Sequence, residues 1–159
     1  MLFFTRKRLT KDETGSYFIL MCLLQASDIQ IGRKGRFHFP QGYYIYTGSA
    51  MGGLLQRLKR ICRCGFRRRL HWHIDYFIRY PLVQILEIYA VPEVFKNECV
   101  YNQKICQFPT AAVPVQQFGS SDCKAGCKGH LIHFPSYPKG LWDYLDVKGE
   151  LLPLNHFER

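Results

Sequence analysis

The sequence predicts one domain of the mixed α/β class (α+β), and three observations carry that reading. A chain of 159 residues with 47% hydrophobic content is long enough to bury a single core. Two apolar runs of strand length, Tyr17 to Leu24 and Leu82 to Val91, lie well apart in the chain. Between them Leu54, Leu55, Leu58, Ile61 and Cys62 recur at helical spacing.

In chain order, residues 1–12 form a basic N-terminal segment. Gly15-Ser16 opens the strand Tyr17 to Leu24, whose apolar run suits a place near the centre of a sheet, and Ser27 and Asp28 break it. Ile29 to Ile31 reads as a short β segment, Gly32 to Gly35 as a basic turn, and Arg36 to Pro40 as an edge strand or loop. Gly42 to Arg60 is the stretch around which the rest is organised. Its tyrosine-rich opening suits a pleated surface, Thr47, Gly48, Ser49, Ala50, Gly52 and Gly53 are small enough to turn sharply, and the apolar stripe follows with Arg57 and Arg60 beside it. That layout brings a tyrosine hydroxyl near a guanidinium, with room for an anion between them. His71 to Ile78 fits either period, pairing His71, His73 and Asp75 as a strand or His71 with Asp75 as a helix. Pro92 closes the strand Leu82 to Val91, Glu93 to Gln107 reads as a helix, and Leu131 to Phe134 as a final short strand. Trp142, Tyr144 and Leu145 mark the tail, residues 135–159, as packed on the domain.

The charge narrows the partners. The chain carries 22 Lys+Arg against 12 Asp+Glu, a net +10, which points to a polyanion. Arg57, Lys59, Arg60, Arg63, Arg67, Arg68 and Arg69 cluster without an acid among them, and Phe66, Trp72 and Tyr76 follow closely. Planar guanidiniums beside aromatic rings suit phosphates next to bases or sugars, so nucleic acid, DNA or RNA, is the expected partner. Arg60, Arg63, Arg67, Arg68 and Arg69, with Ser49 in the small-residue turn, are the candidate contacts. A membrane is not expected, because no apolar run approaches the ~20 residues of a span. With no cleavable leader pattern, the reading is cytoplasmic.

Gly15-Ser16-Tyr17 followed by Tyr46-Thr47-Gly48, with Arg57 on the next helix, resembles the paired half-motifs of the GIY-YIG nucleases. Taken in order, GYYIYTGSA, RLKR, HWHID, Glu98-Cys99 and the segment from Phe118 to Leu131 are similar to the Uri-type endonuclease branch. The resemblance implies a small, mainly antiparallel sheet flanked by helices and a one-metal phosphodiester cleavage site. It assigns Tyr17 and Tyr46 to positioning or activating water, Arg57 to stabilising the transition state, and Glu98 to holding Mg²⁺ or Mn²⁺. Those residue types suit phosphodiester cleavage, in which a water must lose a proton and the pentavalent phosphate gains charge that needs balancing. Phenols serve as relays only when cations depress them, and a single carboxylate suffices for a Mg²⁺ that keeps its waters. Relatives in this branch carry a histidine where this chain has Ile61, and His71 or His73 is the candidate replacement, so His73 joins the catalytic set. Glu87 and Asp75 are rival carboxylates, and Asp122 reads as a cap.

Seven cysteines, an odd count, argue against a disulfide framework. Cys123, Cys127 and His130, together with Cys62-x-Cys64, have the donor types for zinc, though not the spacing of the familiar modules. Cys22, Cys99 and Cys106 read as small buried apolar residues. The expected function is a divalent-metal-dependent endonuclease. The alternatives are a catalytically weak or inactive nucleic-acid-binding module on the same fold, which Ile61 favours, and a zinc-stabilised interaction domain.

Overall fold

The computed structural model describes residues 9–63 and 69–157, with the side chains of 155 and 156 left aside. The fold is α+β, built on a five-stranded antiparallel sheet. Strand β1, Gly15–Leu23, is the centre of that sheet, where its unbroken apolar run belongs. It pairs on one side with a strand at Gly42–Ala50 and on the other with one at Val83–Pro92. In the chain between β1 and Gly42, a hairpin of β2, Ser27–Ile31, and β3, Gly35–Phe39, forms a separate two-stranded ribbon. The sheet strands that follow are β4, Gly42–Ala50; β5, Val83–Pro92; β6, Leu131–Phe134; and β7, Glu150–Leu152. Spatial order across the sheet is β6-β4-β1-β5-β7.

Side chains alternate cleanly along β1, and each face has its own cover. Tyr17, Ile19, Met21 and Leu23 join Tyr44 and Tyr46 of β4 in one apolar cluster. Helix α1, Leu54–Cys62, contributes Leu54, Leu55, Leu58 and Ile61 to it, helix α2, His73–Arg79, contributes Ile74 and Phe77, and the ribbon contributes Ile29, Ile31 and Phe39. Phe18 and Leu20 of β1 face the other way, with Ile45, Ile132 and Phe134. Helix α3, Glu98–Cys106, packs there through Ile105, and helix α4, Leu141–Leu145, through its two terminal leucines. Trp142 stacks on Tyr89 with centroids 4.9 Å apart, which binds the segment after residue 135 to β5.

Several expectations are corrected. The break after β1 lies before Ser27, whose hydroxyl caps a turn by donating to the Gln25 carbonyl (2.8 Å), and the strand resumes at Ser27 itself. The helix expected from Glu93 starts only at Glu98, because the Glu93 N–H continues the sheet ladder by donating to the Thr14 carbonyl at 2.9 Å. The Glu93 carboxylate is also fully engaged, accepting from Ser16, Tyr101 and Asn97. The ambiguous segment at His71 resolves as helix α2. Asp75 decides it, accepting from the N–H groups of His71 and Trp72, both at 2.9 Å, and so closing the helix start. Leu131–Phe134 is not the last strand; β7 follows and pairs Leu152 with Ile88.

Two glycines at the sheet centre are fixed by close approach. A Cβ on Gly48 would lie 2.4 Å from the Tyr17 ring, and one on Gly15, at φ +154°, would lie 2.0 Å from the Val91 carbonyl oxygen. Backbone cannot yield as a side-chain tip can. Gly15→Ala therefore lowers stability by about 1–3 kcal/mol, read as a lower urea midpoint at unchanged slope.

Candidate active site and metal cluster

The tyrosine pair is built by register. Tyr17 lies opposite Gly48, so its ring rests where that glycine has no side chain, and its centroid is 6.3 Å from that of Tyr46. Both phenols are buried. Burial pushes Tyr17 up to about 12, against a smaller downward pull from the Arg57 guanidinium beside it. Tyr46 is raised well above its ordinary value by burial first, then by Tyr17 and Glu98, with Arg57 opposing. The charges of Arg57, Glu98 and Asp75, each from a different helix, thus all reach the two phenols. As found, both phenols are neutral donors.

Arg57 is held from two sides. Its Nη1 donates to the Ser49 carbonyl (3.4 Å), and its guanidinium sits 4.2 Å from the Trp72 ring centre. Arg60, one turn on, lies 3.6 Å from the same ring and meets the buried Asp75 carboxylate at 3.5 Å. Ala50, Gly52, Gly53, Gln56, Arg57 and Arg60 line an open groove of about 370 Å³ with no acidic side chain on its wall. Arg63 and Arg69 are exposed, and the Arg63 Nε donates to the Phe157 carbonyl at 3.3 Å. Arg67, Arg68, Phe66 and Cys64 lie outside the described residues. Ser49 contributes its carbonyl to Arg57, while its buried hydroxyl has no partner.

Ile61 points into the core, fully buried, so the position of the expected histidine is structural here. His73 does not take over as a base. Its Nδ1 accepts from the Gly119 N–H at 2.9 Å, which leaves only Nε2–H to offer, and burial followed by Lys34 lowers its basicity. Gly119 in turn lies against Tyr46: a Cβ there would meet the ring at 2.8 Å. His71 is exposed, Glu87 accepts from Tyr137 and Trp142, and Asp75 belongs to the arginine side, so none of these is placed with Glu98. Asp122 is exposed.

Glu98 opens α3 and is 14% exposed, with Oε1 3.2 Å from Lys96 Nζ and Oε2 4.0 Å from His130 Nδ1. The next residue, Cys99, is corrected from apolar filler to a cluster member. Cys99, Cys123, Cys127 and His130 bring their donor atoms within 4.8 Å of one another, a group that could hold a metal ion. Cys99 Sγ lies 3.4 Å from Cys123 Sγ and 3.8 Å from His130 Nε2. Burial raises the Cys99 thiol, whereas at Cys123 the backbone N–H groups of Cys127 and Ala125 outweigh burial and hold the thiol low. Cys106 is exposed and Cys22 half-buried, so neither is the fully buried filler the sequence suggested, and Cys62 packs against the core away from the cluster.

The Tyr17 phenol gives a pH test. Its folded-state value, about 12, exceeds the ordinary 10.0, so its contribution is intact below pH 10 and disappears between pH 10 and 12. Over that window the wild type loses about 2–3 kcal/mol more than Tyr17→Phe, measured by urea unfolding at each pH.

Among the described residues no helix is long and apolar enough to cross a membrane. Neither the curated proteins nor the solved structures contain a match to this chain. One family model does match, over residues 16–148, from the central strand through the cluster to just past α4. The chain therefore belongs to the family described as domain of unknown function DUF123.

Proposed function

We propose that the chain is a divalent-metal-dependent endonuclease that hydrolyses phosphodiester bonds in nucleic acid, with DNA the first substrate to test, as its resemblance to the Uri-type GIY-YIG nucleases implies. One observation carries the reading: the charges of Arg57 on α1 and Glu98 on α3, with that of Asp75 on α2, all act on the two buried phenols Tyr17 of β1 and Tyr46 of β4. Arg57, aimed by Trp72 and the Ser49 carbonyl, supplies fixed positive charge to the phosphate oxygens as they gain charge. The neutral hydroxyls of Tyr17 and Tyr46 orient the attacking water and donate to a phosphate oxygen. The arginine-lined groove carries the adjoining backbone.

Glu98 fits a Mg²⁺ or Mn²⁺ ion, because its Oε1 is paired only with the exposed Lys96, which a dication displaces. Such an ion neutralises phosphate charge and acidifies a bound water. The cluster beside it suits zinc instead. Zn–S bonds of about 2.3 Å and Zn–N bonds of about 2.1 Å in a tetrahedron set donor separations of roughly 3.6–3.8 Å, and the 3.4 and 3.8 Å distances at Cys99 lie within a few tenths of an ångström of them.

A second reading, a nucleic-acid-binding module without turnover, draws on Ile61 being core and on the raised phenols. Branched, single-stranded and duplex DNA and RNA, each with Mg²⁺ or EDTA, separate the two. Under the nuclease reading, cleavage needs the metal and falls by about 10²–10³ in Tyr17→Phe or Arg57→Ala, and disappears in Glu98→Ala. Salt-sensitive binding without cleavage establishes the module instead. Elemental analysis should find one zinc per chain, and its removal by chelator, or Cys123→Ser, lowers the melting temperature.

A further inference from the structure

A histidine that ligates zinc through one ring nitrogen needs an acceptor for the N–H on the other, and that acceptor fixes the ring. His130 turns its Nε2 toward the cluster, 3.8 Å from Cys99 Sγ. Its Nδ1 is buried with no hydrogen-bond partner, and the whole side chain is 3% exposed. The large majority of buried side-chain polar atoms in folded proteins have a hydrogen-bond partner. The carboxylate oxygen that faces this one is Glu98 Oε2, at 4.0 Å, a gap that a small side-chain movement closes.

The two oxygens of Glu98 have different surroundings. Oε2 points at buried His130, while Oε1 points at Lys96, whose side chain is 63% exposed. One oxygen thus faces a buried ring nitrogen and the other an exposed, exchangeable partner. Glu98 and Cys99 are also consecutive in the first turn of α3, so an ion on Cys99 fixes the backbone that carries Glu98.

We propose that His130 is a positioning residue joining two metal sites. Its Nε2 ligates zinc in the Cys99, Cys123, Cys127 and His130 cluster, and its Nδ1–H donates to Glu98 Oε2, so that Oε1 is presented to the Mg²⁺ or Mn²⁺ of the nuclease site. Zinc occupancy then regulates divalent-cation binding at Glu98. This rests on the nuclease reading for Glu98 and goes beyond it by naming what controls that carboxylate.

The decisive experiment uses the full chain, with zinc counted by elemental analysis and Mn²⁺ binding followed by electron paramagnetic resonance. His130→Cys keeps four zinc donors and deletes the N–H. The expected result is one zinc per chain, as in wild type, with Mn²⁺ bound about 10–100-fold more weakly. Wild-type Mn²⁺ affinity in a zinc-loaded His130→Cys protein overturns the proposal. If His130→Cys fails to fold or to hold zinc, ¹⁵N NMR of the zinc-loaded wild type decides. A slowly exchanging His130 Nδ1–H that shifts in Glu98→Ala supports the link, and one indifferent to Glu98→Ala overturns it. Failure of the underlying reading looks different: Mn²⁺ binding to zinc-loaded wild type is then absent or unchanged by Glu98→Gln, and the proposal falls with it.

Discussion

The contact on which the rest of the site depends is the Tyr17 ring lying over Gly48, between the two central strands. Strand β1 is covered on both faces, so almost every side chain it carries is apolar and sealed. Only its first residues carry polar groups, and they do so under tight conditions. Ser16 gives its hydroxyl to Glu93 at 2.7 Å on one face, while Tyr17 presents its phenol on the other. Because the ring occupies the space a Cβ would need, β4 must have glycine at that register position. The same alternation puts Tyr46, two residues earlier, on the same face as Tyr17. The two half-motifs are therefore one packing arrangement seen from neighbouring strands.

That arrangement sets the electrostatics. Burial of the phenols outweighs the attraction of Arg57, so the hydroxyls stay protonated across neutral pH. Arg57 has little room to move, because Trp72 holds it by its face and Arg60 shares the ring. Two guanidiniums beside one indole repel each other. Asp75 offsets part of that repulsion: fully buried, it accepts two backbone N–H groups of the α2 start and takes Arg60 as its ion partner. The carboxylate that opens helix α2 thus also steadies the guanidinium row on α1. Asp75 thereby ties the basic groove to the start of α2.

How much of this was legible in the sequence follows from the range over which each signal acts. Strands β1 and β5 and helix α1 announced themselves through local period and length, while the tyrosines, Arg57 and Glu98 stood out only through the order in which they recur in the chain. Helix α3 was misjudged at its start because Glu93 looks like an ordinary first-turn acid; its true partners, Ser16 and Tyr101, are set by tertiary contact. The segment at His71 fitted both periods, and the tie was broken by Asp75 bonding two residues that precede it in the chain. Cys99 was missed for a similar reason. Twenty-four residues separate it from Cys123, so no spacing rule links them, and next to an acid on a helix it resembles filler. Trp72 gave no sign of its role beyond following a basic run.

Two adjacent residues at the start of α3 face opposite kinds of metal chemistry. Cys99 joins two further thiols and an imidazole, a soft donor set with four protein ligands that leaves no position for water or substrate. An ion there, in the zinc reading, is structural: it pins α3 to the loop before β6 but cannot activate a nucleophile. Glu98 offers a single hard oxygen beside an exposed lysine, too little to hold an ion tightly and enough to share one with a phosphate and several waters. Softness and ligand count would therefore separate the two proposed sites without any steric barrier between them. Under the nuclease and zinc readings together, a closed soft centre next to an open hard one would let one helical turn be fixed and reactive at once. On the proposed reading, the residue that would anchor the backbone is not the one that would meet the substrate, and the chain needs only consecutive positions to supply both.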